Sequence, residues 1–182
     1  MTKSLIVNPA EVRKAGVLTT PDIPLNAYEL DWAAELARHG ADGLLNMLKD
    51  MIVVRTFESM LNSIKTTGGW KGVEYNHLGP AHLGVGQEAA YVGQAAVLSP
   101  DDQVFGSHRS HGEILAKSYS AARQLDQAKL EQIMKTFLGG ETLSFAEKAD
   151  YADIADLAEN FILFGTLAEI FARKAGFNRG LG

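Results

Sequence analysis

Apolar side chains recur at steps of three and four from residue 44 to residue 64, at Leu44, Met47, Leu48, Met51, Ile52, Val54, Leu61 and Ile64. That period predicts a helix with Asp42 as its cap and a stop near Thr66, where Gly68 and Gly69 follow. The apolar arc is broad enough to predict burial on more than one side. Residues 1–41 read as an irregular arm broken by Pro9, Pro21 and Pro24, with a short helix from Asp31 to Arg38 carrying Trp32 and Leu36. The glycine-rich stretch after the long helix has no apolar period and reads as a loop.

Beyond it, Gln87–Val97 reads as a helix whose alanines and Gly93 permit close packing. Ser99–Asp102 reads as a turn, Gln103–Gly106 as a short strand and Arg109–Lys117 as a helix. An amphipathic helix is predicted over Ser118–Gly140 from Leu125, Leu130, Ile133, Met134, Phe137 and Leu138. The acidic residues 141–160 read as helix or ordered loop, and a last helix is predicted over Leu163–Lys174. Val- and Ile-rich runs of strand length are scarce, which is awkward for a compact α/β domain. Two readings fit: a helix-rich piece of a larger α/β fold, completed elsewhere, or a small all-helical protein with a frayed tail.

A chain of 182 residues is expected to form one core. Its 17 basic and 22 acidic residues give a formal charge of -5 with no dense basic patch, so no nucleic-acid surface is expected. No run of apolar residues approaches the ~18 of a membrane helix, and the N-terminus lacks a signal-peptide core. A soluble, cytoplasmic protein is the expectation. The absence of cysteine excludes disulfides, thiolate catalysis and cysteine-based metal centres.

Candidate chemistry concentrates between Ala81 and Gly112, which holds three of the five histidines. His82, in a glycine-bracketed loop, reads either as a surface or helix-entry residue or as a proton-transfer group working near neutral pH. His108 and Arg109 follow the strand candidate. If a helix starts there, its free N–H groups, an imidazole and a guanidinium converge on one anion site. The alternative is an ion pair of Arg109 with Asp101 or Asp102 that fixes the turn. His111, two residues beyond Arg109, serves a different contact. Glu88 reads as a first-turn carboxylate favoured by the helix dipole. No HExxH, phosphate-loop or GxGxxG pattern occurs, and no metal ligands are assigned within the chain.

Arg55 and Glu58, the HLxxGQEA run at His82–Ala89, Gly93, the LxPxD turn at Leu98–Asp102 and the RxHG at Arg109–Gly112 occur in that order. Together they resemble the N-terminal part of the alpha subunit of the thiamine-diphosphate-dependent E1 dehydrogenases of 2-oxo acids, the pyruvate, branched-chain 2-oxo acid and acetoin dehydrogenase components. The resemblance implies a thiamine-diphosphate-binding fold of class α/β, represented here by its helix-rich N-terminal portion and incomplete in this chain. Its domain organisation would be an arm at 1–41 and a partial domain at 42–182, with a helical insertion at about 118–163. His82 falls on the family's catalytic histidine and Arg109 on the arginine that grips the cofactor diphosphate. His108 stands where the family usually has a tyrosine that also approaches the diphosphate. His111 takes a structural or near-site role.

The implied reaction is decarboxylation of a 2-oxo acid with acyl transfer to a lipoyl group. The implied cofactors are thiamine diphosphate and Mg2+, with the metal ligands outside this chain, because the family's GDG-to-N motif is missing from the sequence. The implied partners are an E1 beta subunit or beta-like region, a lipoyl-bearing E2 component and a small 2-oxo acid, in an oligomeric multienzyme complex. The chain is expected to be truncated relative to the family and inactive alone. A transketolase-like component and a non-catalytic assembly module of the same fold are the competing readings. The enzyme reading expects His82 and Arg109 to face a common cavity.

Overall fold

The computed structural model describes residues 8, 10, 13–17, 19–77, 79, 80 and 82–181. The N-terminal apolar run read for a signal peptide, Pro9 and Ala81 lie outside the described residues. Asp31 caps the first helix, α1 (Trp32–Thr67), accepting from the backbone N–H of Ala33 at 3.0 Å and of Ala34 at 3.1 Å. At Gly40 the backbone turns to φ 69° and ψ 167°, so α1 is two helical runs meeting at a kink. Asp42 lies inside the second run, which removes it as the predicted cap. The C-terminal end falls as expected, with Gly68 at φ 76° donating to the Ile64 carbonyl at 3.1 Å.

The predicted apolar arc of α1 divides. Val54, Phe57, Leu61 and Ile64 are buried, whereas Leu48 and Ile52 stay 49% and 57% exposed. Burial on several sides is thus corrected to burial on one, because the neighbouring helices all pack on the Val54–Leu61 side. The stretch read as loop contains a small antiparallel hairpin, β1 (Gly69–Trp70) with β2 (Val73–Glu74), turning through Lys71 and Gly72 at positive φ.

Next come α2 (Glu88–Ala95) and the expected turn, in which Asp102 accepts from Ser99 N at 2.7 Å and Ser99 Oγ at 2.8 Å. The strand predicted at Gln103–Gly106 does not form. Phe105 is 91% exposed, and no described strand lies alongside to take the ladder hydrogen bonds that a strand needs. Helix α3 (His111–Arg123) continues through Ser118, where a boundary was predicted without any breaker residue. The break falls instead before Asp126, which caps α4 (Gln127–Thr136) by accepting from Lys129 N at 2.7 Å. A 3-10 turn at Phe137–Gly140 leads into α5 (Glu141–Ala146). The last helix, α6 (Ile154–Ile170), starts well before Leu163 because Asp153 caps it through Asp156 N at 2.9 Å.

Helix α3 occupies the centre, packed on α1, α2 and α6, with Leu115 and Ala116 fully buried. A large aliphatic side chain buried in this way contributes roughly 1.5–3 kcal/mol. Helices α4 and α5 pack on α6 and add Leu130, Met134, Leu143 and Ala146 to the same core. The glycine-rich tail folds back across α6. Thr142 Oγ1 donates to the Ala175 carbonyl at 2.8 Å, and Glu169 Oε2 accepts from Asn178 N at 2.7 Å and Gly180 N at 2.9 Å. That return places Phe177 against α6, where it walls the cavity described next.

Candidate functional site

Two bends of the chain, one after the hairpin and one before α3, are tied together by a single buried carboxylate. Glu58, on α1 and 0% exposed, accepts from Gly84 N at 3.0 Å through Oε2. Its Oε1 lies 3.3 Å from His111 Nδ1 at the start of α3. Gly84 stands two residues after His82, and His111 two residues after Arg109. The second bend is closed locally, with Ser110 N donating to the Ser107 carbonyl at 3.2 Å and Arg109 N to Ser107 Oγ at 3.2 Å.

The closure brings His82 and His108 edge to face, with ring centroids 4.8 Å apart and an interplanar angle of 85°. Both line a cavity of about 470 Å³, together with His111, and Ile114, Ile170 and Phe177 supply apolar wall. Arg109 is exposed and is not among the lining residues, so the structure places His82 and His108, rather than His82 and Arg109, on one cavity. The turn-fixing ion pair is absent among the described residues, since Asp102 is taken by Ser99 and Arg109 meets no carboxylate. An exposed guanidinium beside an imidazole, just ahead of a helix N-terminus, is a donor set that suits a phosphate-type anion.

Glu88 does more than complement a helix dipole. Arg55 grips it with both arms of the fork, Nε to Oε1 at 2.6 Å and Nη2 to Oε2 at 2.9 Å, and Gly86 N adds a bond of 3.0 Å to Oε1. The Arg55 hydrogen bonds outweigh the opposing desolvation and hold the Glu88 carboxyl at about 2, down from 4.5. A depressed folded value stabilises the protein above the unfolded one, and that contribution is lost as pH falls from about 4.5 towards 2. Glu88→Gln is therefore expected to flatten the stability-versus-pH curve across this window, read by urea unfolding at successive pH values. An unchanged slope removes Glu88 as a source of acid sensitivity.

The sequence reading noted Arg55, Glu58 and Glu88 but not their partners, and it missed Thr166. The four-residue steps of α1 show which residues share a face, whereas pairing partners 33 and 53 residues away depend on how the helices cross. Thr166 lies where the sequence shows only an apolar helix, and it lines the cavity with its hydroxyl buried. Among the described residues no group of three or more metal-ligating side chains gathers that could hold a metal ion. No helix is long and apolar enough to cross a membrane.

Over 110 residues the chain is 31% identical to the pyruvate dehydrogenase E1 component subunit alpha of Rhizobium meliloti (strain 1021), a match that covers 60% of this chain and 30% of that protein. No solved structure matches the chain. Residues 56–162, which carry Glu58, His82, the turn at Ser99 and all of α2 through α5, match the dehydrogenase E1 component family. The helix-rich architecture is thus accounted for by that family, and the chain belongs to the dehydrogenase E1 component family.

Proposed function

We propose that this chain contributes the alpha-side half of a thiamine-diphosphate site in a 2-oxo acid dehydrogenase, with a beta subunit or beta-like region closing it. The observation that carries this reading is the edge-to-face meeting of His82 and His108 at a cavity next to the uncompensated Arg109. Arg109 would bind a diphosphate oxygen pair through its fork, and His108 would donate to a neighbouring oxygen where a tyrosine hydroxyl is the family's usual donor. His82, held against His108 and facing the cavity, would hold or move a proton at a reacting oxygen. When bound, thiamine diphosphate supplies an electron sink for decarboxylation. The donor set fits the diphosphate, and among the described residues no group of three or more metal-ligating side chains gathers for the magnesium ion. The metal would come to rest on residues supplied from elsewhere, as would the lipoyl-bearing acceptor component.

The chain purified from its native cells with its associated polypeptides is expected to bind thiamine diphosphate in the presence of Mg2+, by calorimetric titration. Loss of charge-assisted hydrogen bonds in Arg109→Ala should weaken that affinity by roughly tenfold to a hundredfold. Equal affinity in the variant overturns the role of Arg109. Absence of binding in the native assembly favours the non-catalytic assembly reading.

A further inference from the structure

Residues 19–31, ahead of α1, form neither helix nor strand, and their large apolar side chains stand in solvent: Ile23 is 74% exposed, Leu25 81%, and Tyr28 and Leu30 are exposed as well. Apolar side chains clustered and uncovered in this way mark an interaction surface. Their sequence, TTPDIPLNAYELD, sets the shape that a receptor must accept. Pro21 and Pro24 fix their own φ at about −65° and bias Thr20 and Ile23 towards extended backbone. In the polyproline form, with about three residues per turn, Pro21 and Pro24 fall on one edge, with Ile23 and Leu25 on the two edges beside it. The segment is also acidic, carrying Asp22, Glu29 and Asp31 and no basic residue.

A groove of matching chemistry opens elsewhere on the chain, between α1, the hairpin, α5 and α6. Phe57, Trp70, Phe145 and Phe164 line it, and Phe145 and Phe164 stack with centroids 5.1 Å apart and 8° between their planes. Only Thr56 and Asn160 interrupt the otherwise apolar wall. Lys148 Nζ stands 4.3 Å from the centroid of the Phe145 ring, and Lys71 Nζ 5.7 Å from that of Trp70. Two cations thus border the aromatic lining, and neither meets a carboxylate among the described residues. Aromatic grooves of this kind receive extended, proline-bearing segments, and bordering charge of opposite sign fixes their register. The groove shares no lining residue with the cavity at His82.

The chain's own arm is anchored away from its groove. Asp31 caps Ala33 and Ala34, and the Tyr28 hydroxyl donates to Glu35 at 3.2 Å, which ties the base of the arm to the first turn of α1. The α1 residues of the groove start at Ile52, in the second helical run beyond the Gly40 kink. Tyr28 to Pro24 reaches about 14 Å when extended, whereas Gly40 to Ile52 alone spans about 18 Å of helix.

We propose that the arm of one chain docks in this groove of a second copy, with Pro21 to Leu25 against the aromatic walls and the arm's carboxylates towards Lys148 and Lys71. Each chain carries both ligand and receptor, so exchange of two arms closes a twofold dimer. A segment that its prolines already hold extended loses little freedom on docking. The contact involves none of His82, His108 and Arg109 and is independent of the cofactor reading.

Sedimentation equilibrium of the full chain over a concentration series is expected to show monomer passing to dimer. Ile23→Asp combined with Leu25→Asp, both at exposed positions, should weaken association by roughly tenfold to a hundredfold, and Phe145→Asp should do the same from the groove side. An equimolar mixture of the two variants is expected to recover association through one intact arm and one intact groove. Lys148→Glu should weaken the dimer roughly threefold at low salt, and adding Asp22→Lys to the same chain should restore it. If Phe145→Asp fails to fold, this exposed charge pair carries the test. A monomer at every concentration, a dimer untouched by the arm substitutions, a mixture that stays monomeric, or a Lys148→Glu loss that Asp22→Lys does not repair each overturns the proposal.

Discussion

Glu58→Ala is expected to destabilise the chain by about 3–5 kcal/mol, a large fraction of the ~5–15 kcal/mol typical of a folded domain. The carboxylate is 0% exposed and serves two donors on separate segments, Gly84 N at 3.0 Å and His111 Nδ1 at 3.3 Å. Removing it leaves the buried Gly84 N–H and the part-buried His111 ring nitrogen without their acceptor and opens a void at a fully buried position of α1. Glu58→Gln keeps the volume and one acceptor oxygen, so its cost is expected to be smaller, about 1–3 kcal/mol. Urea unfolding with a constant m-value reads both, and amide exchange at Gly84 gives the local consequence. A loss under 1 kcal/mol in Glu58→Ala, or unchanged protection at Gly84, sinks the claim that this carboxylate ties the two bends together. The functional meaning follows from the tie: the loop carrying His82 and the bend carrying Arg109 hold their spacing through one side chain that touches neither.

What could be read from the sequence follows the range of each interaction. The caps at Gly68 and within Ser99–Asp102 were legible because they are made by residues three or four apart. Asp126 and Asp153 carry the same local signal, and weighing it over apolar spacing would have placed the starts of α4 and α6 correctly. The strand at Gln103–Gly106 was misread because strand character depends on a neighbour, and none of the described strands lies beside it. The exposed flank of α1 at Leu48 and Ile52 was illegible for a related reason, since an apolar residue does not show whether anything covers it.

The candidate site divides in the same way. His82, His108 and Arg109 stood out through their crowding beside glycines, and the two histidines do meet. That Arg109 stays outside the cavity depends on the path of the chain from Ser107 to His111, which a single helix-start signal does not fix. His111 and Glu58 were each visible but not as a pair, and Thr166 gave no signal at all. Its significance lies in a hydrogen bond that is missing, which only the packed structure displays.

The second large effect is expected at Gly112, where α3 crosses α2. A Cβ at this position would lie 2.1 Å from Tyr91 Cδ2 and 2.3 Å from Cε2, inside the ring's own volume. Tyr91 is 6% exposed and tethered by its hydroxyl to Gln87 Oε1 at 2.8 Å, so displacing the ring disturbs both the core and that hydrogen bond. Gly112→Ala should therefore cost about 3 kcal/mol, the upper end of overpacking penalties, and loosen the bend that carries Arg109. Gly84 approaches the same side chain at its hydroxyl end, where a Cβ meets the hydroxyl first, at 2.2 Å, with the ring carbon behind it at 3.1 Å. The two glycines thus predict opposite responses to one second substitution. Tyr91→Phe should recover much of the loss in Gly84→Ala and almost none in Gly112→Ala, as thermal unfolding of the two double-mutant cycles would read. Equal rescue at both glycines would mean that the two positions do not press on different parts of the Tyr91 side chain.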